Sequence, residues 1–284
     1  MDEERFLVSY HQNHKNQDVA VKSSLLKFYR VLFGRKIFFG MNRLLFRFSL
    51  TGMGILNYEN YKVSGERAFL SKKLDQSPGA VVIDVGANAG DYVKSVLEIN
   101  RDALVYAFEP HPGTYARLRE NLAGRNARAF NLAVGDVEGK ALLYDYESQD
   151  GSPHASVFKD VIEGIHKSKC ISHDVDIVTL DMFCAANGIS RVSLLKIDTE
   201  GNEYAVLCGA RKMIANGQID MIHFEFNEMN VSSRTFFRDF WKILGGFEFY
   251  RLLLDGMVKI ESYNPLYCEV FAYQNIVAVR RGCI

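Results

Sequence analysis

The sequence is poor in residues that break or brace irregular chains. Its 284 residues include 5 prolines and 1 tryptophan. With no low-complexity tract and no repeat at solenoid spacing, a proline-rich linker, a disordered tail and a repeat array are excluded. An excess of one charge sign is also missing. Thirty-four Lys and Arg balance 34 Asp and Glu, which leaves no global field to draw nucleic acid or an acidic partner. No apolar run reaches the roughly eighteen residues that span a bilayer. The opening MDEER lacks the basic start and apolar block of a secretory signal. The 5 cysteines are odd in number and show no CxxC spacing, against both a disulfide framework and a structural zinc site. Reduced thiols in a cytoplasmic protein are the expectation.

At 48% hydrophobic, the chain can bury a sizeable core, as one large domain or one domain with an appendage. Acid is absent between Asp18 and Glu59, where Lys22, Lys27, Arg30, Arg35, Lys36, Arg43 and Arg47 interleave with apolar residues. Leu25, Leu26, Phe28, Tyr29, Leu32 and Phe33 fit a helical stripe, and Ile37, Met41, Leu44, Leu45 and Phe48 fit a second. Residues 20–50 therefore read as two basic amphipathic helices with a break near Gly34. They have two readings: lying on an anionic membrane surface, or packing the stripe on the sheet to cap a cofactor pocket. The second is preferred because amphipathic helices more often face a core.

From about residue 80 strands and helices alternate. AVVIDV is a buried parallel strand, DYVKSVLEIN a helix, ALVYAFEP a strand, TYARLRENLA a helix and AFNLAV a third strand. Residues 137–178 show no strong periodicity and read as a long irregular insert over the substrate. VSLLKIDTEG is a fourth strand, NEYAVLCGARKMIANG a helix, IDMIHFEF a fifth strand and SRTFFRDFWKILGG a helix. FEFYRLLLDGMVKI and QNIVAVRR are late strands. This order predicts a doubly wound α/β sheet, with ligands beyond the carboxyl ends of its strands.

Those ends carry the chemistry. After Asp84 the chain turns through Gly86, Asn88 and Gly90. The spacing misses the dinucleotide fingerprint, which would need glycine at position 88, and Asp84 would meet a pyrophosphate with like charge. A cationic ligand suits it better, and S-adenosylmethionine carries a sulfonium and an ammonium but no phosphate. Glu109 ends the second strand, where a carboxylate can grip both ribose hydroxyls. Asp136, in the turn after the third, offers an acceptor to an adenine amine. Asp198 and Glu200 end the fourth strand, where acids can hold an ammonium, bind a metal or take a proton. Alternation on the fifth points His223, Glu225 and Asn227 one way and Phe224 and Phe226 the other. A buried Glu225 needs a partner, and His223 is read as a satisfied core histidine.

VIDVGANAGDY, AFEPHPGTYARLREN, NLAVGD and LLKIDTEGNEYAVLCGA, in that order, resemble the FkbM family of S-adenosylmethionine-dependent methyltransferases. GILNYENYKVSGERAFL is similar to the family's lead-in, and the resemblance covers roughly residues 55–280. It implies a class I methyltransferase sheet, Rossmann-like, with seven strands and the last antiparallel. It also implies cofactor contacts from Asp84, Gly86, Asn88 and Gly90 at the methionine end, Glu109 at the ribose and Asp136 near adenine. Thr199 stands where the family more often has an aliphatic residue. The resemblance points further to O-methylation of a sugar or natural-product hydroxyl. The base would be Asp198, then Glu200, then His154, with His111 and Glu225 as further candidates; no metal is assigned. The domains expected are a basic helical extension over 1–60 and a methyltransferase domain over 61–284. A nicotinamide oxidoreductase and a non-catalytic scaffold at a membrane stay open as alternatives.

Overall fold

A computed structural model describes residues 24–58, 63–75 and 77–283. The chain divides into two compact units, Met1–Gly52 and Met53–Ile284. The division falls before residue 60 because Ile55 already pairs with Gln274, and the Leu56 N–H donates to the Tyr273 carbonyl.

In the first unit residues 24–33 are helical (α1) and Gly34 interrupts the helix. A 3₁₀ turn over Lys36–Phe38 leads into α2 (Phe39–Gly52). The two-helix reading with a break near Gly34 matches this, although its first residues lie outside those described. Burial of the apolar stripe is not observed. Leu25, Leu26, Phe28, Leu44, Leu45 and Phe48 are all exposed, and Leu50 is the buried residue of α2.

The second unit opens with α3 (Glu66–Leu74), β1 (Val81–Val85), α4 (Asp91–Ile99), β2 (Leu104–Phe108), α5 (Pro112–Asn121) and β3 (Ala127–Phe130). It continues with β4 (Ala133–Val134), β5 (Gly139–Tyr146), a π-helical turn (Val161–Ile165), β6 (Cys170–Val178), α6 (Leu180–Ala186), β7 (Val192–Ile197), α7 (Glu203–Cys208), α8 (Arg211–Ala215) and β8 (Ile219–Phe226). Then come α9 (Met229–Ser232), α10 (Phe237–Ile243), β9 (Phe247–Leu253), β10 (Gly256–Ile260), α11 (Pro265–Cys268) and β11 (Gln274–Arg280).

The main sheet has the order β10-β9-β11-β8-β7-β1-β2-β3. Its order reverses around β1, which pairs in parallel with both β2 and β7. The last strand, β11, inserts antiparallel between β8 and β9. This is the class I methyltransferase arrangement, with one correction: the sheet has eight strands rather than seven. The extra strand, β10, arises because FEFYRLLLDGMVKI folds back at Asp255-Gly256 into an antiparallel hairpin.

Both faces of the sheet are covered. On β1, Ile83 and Val85 join one core with α6, α7 and α10, whereas Val82 joins another with α3 and α4. Alternation holds on β8 too, where Phe224 and Phe226 enter the first core and His223 and Glu225 face the other way. Two further expectations are corrected. Residues 137–178 are irregular only in part: β5 and β6 pair along their length and form a second, three-stranded sheet with β4, whereas residues 147–169 between them hold turns, isolated bridges and the π-helical turn. One face of this small sheet packs Ala141, Leu143, Val175 and Ile177 together, while Ser172, Asp174 and Asp176 alternate with them and are exposed. The helix expected over NEYAVLCGARKMIANG is two helices, because the Gly209 carbonyl is taken by the Asp181 N–H.

Candidate active site

The strand ends around β1 and β7 build the site. The Asp198 N–H donates to the Val85 carbonyl at 2.9 Å, which locks the two turns together. Gly86 has a φ of 84°, and a Cβ there would lie 1.7 Å from the Asp198 carbonyl oxygen; no other residue fits. Gly90, also in the left-handed region, serves a different purpose from the one expected. It precedes α4 and packs against Leu118 and Leu122 of the α5 segment, outside the lining of the site.

Three clefts meet at Gly86, Asn88, Pro153 and Asp198. The first is narrow, with an apolar wall of Phe108, Leu132, Val134, Leu143, Ala155 and Val157 and a polar side that includes Glu109, Ser152, Asp198 and Asn202. Both Glu109 oxygens are held, Oε2 by the Asn88 N–H and Oε1 by the His111 N–H, each at 2.9 Å. Burial nevertheless pushes its pKa up to about 7 against those two hydrogen bonds. An oriented carboxylate beside an apolar slot is what a nucleoside needs: ribose hydroxyls for the acid, and a flat base for the slot. Asp136 is exposed and lines none of the three clefts, although Ala133 and Val134 just before it line the first. The turn that carries it runs outward after Val134, whose carbonyl is taken by Asn202 Nδ2.

The second cleft, about 550 Å³, holds Glu66, Asp84, Lys196, Asp198, Glu225 and Tyr273. Four carboxylates therefore surround one ammonium. Lys196 Nζ lies 3.5 Å from Asp198 and 3.7 Å from Glu225. Burial works against its charge, but the nearby carboxylates prevail and its pKa is raised. Burial drives Glu66 and Glu225 upward. Asp84 is pushed up to about 7, also by burial, and its Oδ2 is buried without a hydrogen-bond partner. A buried carboxylate oxygen with nothing to accept is costly unless a ligand supplies the donor or the charge. The cationic end of S-adenosylmethionine supplies both, and a pyrophosphate would supply neither, so these residues fit the cofactor expected.

The third cleft, about 540 Å³, is lined by Tyr58, His154, His166, Asp198, Glu200, Glu225, Asn227, Glu228 and Tyr273 among others. His154 Nδ1 lies 2.8 Å from Glu200 Oε1. Glu200 has a φ of 51°, a strained backbone held by its neighbours. Glu203 Oε1 accepts from Thr199 N, Thr199 Oγ1 and Gly201 N, and Ser156 Oγ donates to the Glu200 carbonyl. The segment carrying His154 is fixed in turn by buried Asp145, which accepts from Gly151 N, Ser152 N and Ser152 Oγ. The hydrogen bond that His154 donates to Glu200 raises the His154 pKa. Burial raises Glu200 to about 7, and its Oε2 has no partner.

The structure thus brings together Asp84, Gly86, Asn88, Glu109, Asp198, Glu200 and His154, and leaves Gly90 and Asp136 outside. His111 is unavailable as a base. Its Nδ1 accepts from the Thr114 N–H and its Nε2 bonds Asp150 at 2.7 Å. His223 is a satisfied core histidine, between the Tyr92 hydroxyl and Asn275 Oδ1. Glu225 finds the partner it needed in Lys196. Glu66, Ser152 and Tyr273 were missed. Tyr273 precedes a strand with no local signature, and Glu66 reaches the site from a helix ahead of the sheet.

An eight-stranded class I sheet with an acid-rich crevice beyond β1 defines a nucleoside-binding methyltransferase architecture. Comparison with known families makes this specific. The description "Methyltransferase FkbM domain" matches residues 84–251, more than half of the chain, and the protein belongs to that family. Its cofactor is S-adenosylmethionine. The chain is similar to the 2-O-methyltransferase NoeI of Sinorhizobium fredii, at 25% identity over 55% of this chain and 67% of that protein. It is also similar to the 31-O-demethyl-FK506 methyltransferase FkbM of Streptomyces tacrolimicus, at 29% identity over 51% of this chain and 64% of that one. The chain thus spans about two thirds of the length of these curated relatives. Among solved structures, it is similar to the fibrillarin pre-rRNA processing protein of Methanococcus jannaschii. That likeness has a TM-score of 0.42 and 16% identity, over 78% of this chain and 77% of that one, and is too slight to carry functional weight. The oxidoreductase and scaffold alternatives find no support in these comparisons.

Proposed function

We propose that the protein methylates a hydroxyl oxygen on a glycan or natural-product acceptor bound in the third cleft, with His154 as the base and Glu200 as the group that orients it. The observation carrying this is the His154–Glu200 contact of 2.8 Å beside the junction of the three clefts. The names of the two relatives, both O-methyltransferases, agree with it.

When bound, S-adenosylmethionine supplies an electrophilic methyl group on a sulfonium. The rest falls to the chain. Glu109 and the apolar slot hold the nucleoside, while Asp84 and its acidic neighbours take the cationic end. Glu200, accepting from Nδ1–H, fixes the His154 tautomer and leaves the Nε2 lone pair to receive the acceptor's proton as the new O–C bond forms. Alignment of nucleophile and electrophile supplies much of the rate. Asp198, the first-ranked base on sequence, fits an electrostatic role better because it sits beside the Lys196 ammonium. Carboxylates, Asn227 and the Tyr58 and Tyr273 rings suit a polyhydroxylated acceptor, which offers donors to the acids and carbon faces to the rings.

The test is to incubate the protein and S-adenosylmethionine with a panel of glycans and hydroxylated macrolactones, and to locate any added methyl by mass spectrometry and NMR. Methyl on oxygen, lost in His154→Gln, is expected. Methyl on nitrogen or carbon, or a fully active variant, would overturn the reading.

A further inference from the structure

The first unit exposes an apolar surface set among cations. No acid occurs between Asp18 and Glu59, whereas Lys27, Arg30, Arg35, Lys36, Arg43 and Arg47 fall within the described part of that stretch. At about 100° per residue, α1 spreads Leu25, Phe28, Tyr29 and Leu32 over one broad arc and places Lys27 and Arg30 on the other. On α2, Arg43 and Arg47 lie one turn apart, with Leu44 and Phe48 on one side and Phe39 and Phe46 on the other. Ile37 is 84% exposed, Phe39 68% and Phe28 62%. The two helices are tied to each other: Asn42 Nδ2 donates to the Phe33 carbonyl, Tyr29 hydroxyl to Asn42 Oδ1, and the Phe33 ring packs on Tyr29 and Phe38. A water-facing surface rarely carries so many large apolar side chains together.

We infer that α1 and α2 form a docking surface for an anionic lipid bilayer, lying in its interface with the apolar side chains inserted and the Lys and Arg heads among the lipid phosphates. Charge selects this occupant. A cationic, acid-free surface complements anionic headgroups, and pairing with a second copy would set cation against cation. No helix among the described residues is long and apolar enough to cross a membrane, so the pair lies on the bilayer rather than through it. Apolar insertion plus a basic cluster supplies the two signals that stable peripheral binding needs.

The test is flotation of the full chain with vesicles of phosphatidylcholine alone or mixed with phosphatidylserine, alongside light scattering without lipid. The expected result is binding to the phosphatidylserine vesicles only, weakening as salt rises. Arg43→Gln with Arg47→Gln removes two charges and should weaken partitioning roughly thirtyfold. Phe28→Ser with Ile37→Ser should weaken it about tenfold or more. Both variants should bind S-adenosylhomocysteine as wild type does, which shows that the second unit remains folded. Failure to float with anionic vesicles, equal binding to both lipid mixtures, or variants that float like wild type would overturn the inference. So would a wild-type dimer that Phe28→Ser with Ile37→Ser dissolves, since a second copy would then cover the surface.

Discussion

At pH 8, Asp84→Asn should make the protein more stable and worse at binding its cofactor. The Asp84 carboxyl is buried, Oδ2 has no hydrogen-bond partner among the described residues, and burial lifts its pKa from 3.8 to about 7. Between those values the folded state keeps a proton that the unfolded state releases. The group's contribution to stability is therefore fully present below about pH 4 and lost as pH rises through about 7. A shift of that size corresponds to at most about 4 kcal/mol above pH 7. The buried amide that the substitution introduces gives back roughly 1–3 kcal/mol of this through its own unmet hydrogen bonds. A net gain of about 1–3 kcal/mol would raise Tm by roughly 2–6 °C at pH 8, and near pH 4, where the wild-type carboxyl is protonated and the amide cost alone remains, the gain should reverse to a loss of about 1–3 kcal/mol. Binding moves the other way. Losing a charge-assisted contact of about 1.5–3 kcal/mol weakens Kd for S-adenosylmethionine roughly ten- to hundredfold. Thermal scans from pH 4 to 8 and titration calorimetry read both effects. A variant with lower Tm at pH 8, or with wild-type affinity, would refute the assignment of Asp84 to the cationic end of the cofactor.

Glu109→Gln should weaken S-adenosylhomocysteine binding by about 2 kcal/mol, roughly thirtyfold, because the amide presents an N–H to one of the two backbone donors that now hold the carboxylate; calorimetry measures it. His154→Gln should lower kcat by roughly 10²- to 10⁴-fold while leaving cofactor Kd within about twofold, since His154 lines the third cleft and neither of the other two. In wild type, turnover should rise with pH through neutrality, as His154, its pKa raised by Glu200, loses its proton and Glu200 ionises from about 7; a rate independent of pH between 6 and 8 would contradict this. Gly86→Ala should abolish cofactor binding and destabilise the fold by more than about 2 kcal/mol, because its Cβ meets the Asp198 carbonyl oxygen at 1.7 Å; denaturant unfolding tests it.

The fold and half of the site were legible in the sequence because parallel strands buried on both faces announce themselves as short apolar runs, and acids that end such runs stand out. Asp84, Glu109, Asp198 and Glu200 were found that way. The segment holding β5 and β6 was not, although β6 alternates exposed Ser172, Asp174 and Asp176 with Val175 and Ile177: the strand it pairs with lies beyond residues 147–169, and no local pattern links the two. Gly90 shows that a left-handed glycine in a strand-to-helix turn can serve helix packing rather than a ligand. Asp136 shows that a Gly-Asp turn says nothing of which way it points. The base proposed here differs from the one ranked first on sequence for a related reason. Sequence places Asp198 and Glu200 side by side, but only the tertiary fold puts Lys196 against the first and His154 against the second. Glu66 and Tyr273 reach the crevice from segments at opposite ends of the second unit, and no local pattern links them.

The central claim is that an S-adenosylmethionine site lies beyond β1 and β7. Its most direct test is calorimetric titration of the full chain with S-adenosylhomocysteine, with NADH as the parallel ligand. The account predicts saturable binding of S-adenosylhomocysteine at one site per chain and none of NADH. Binding of NADH, or no binding of S-adenosylhomocysteine, would contradict it.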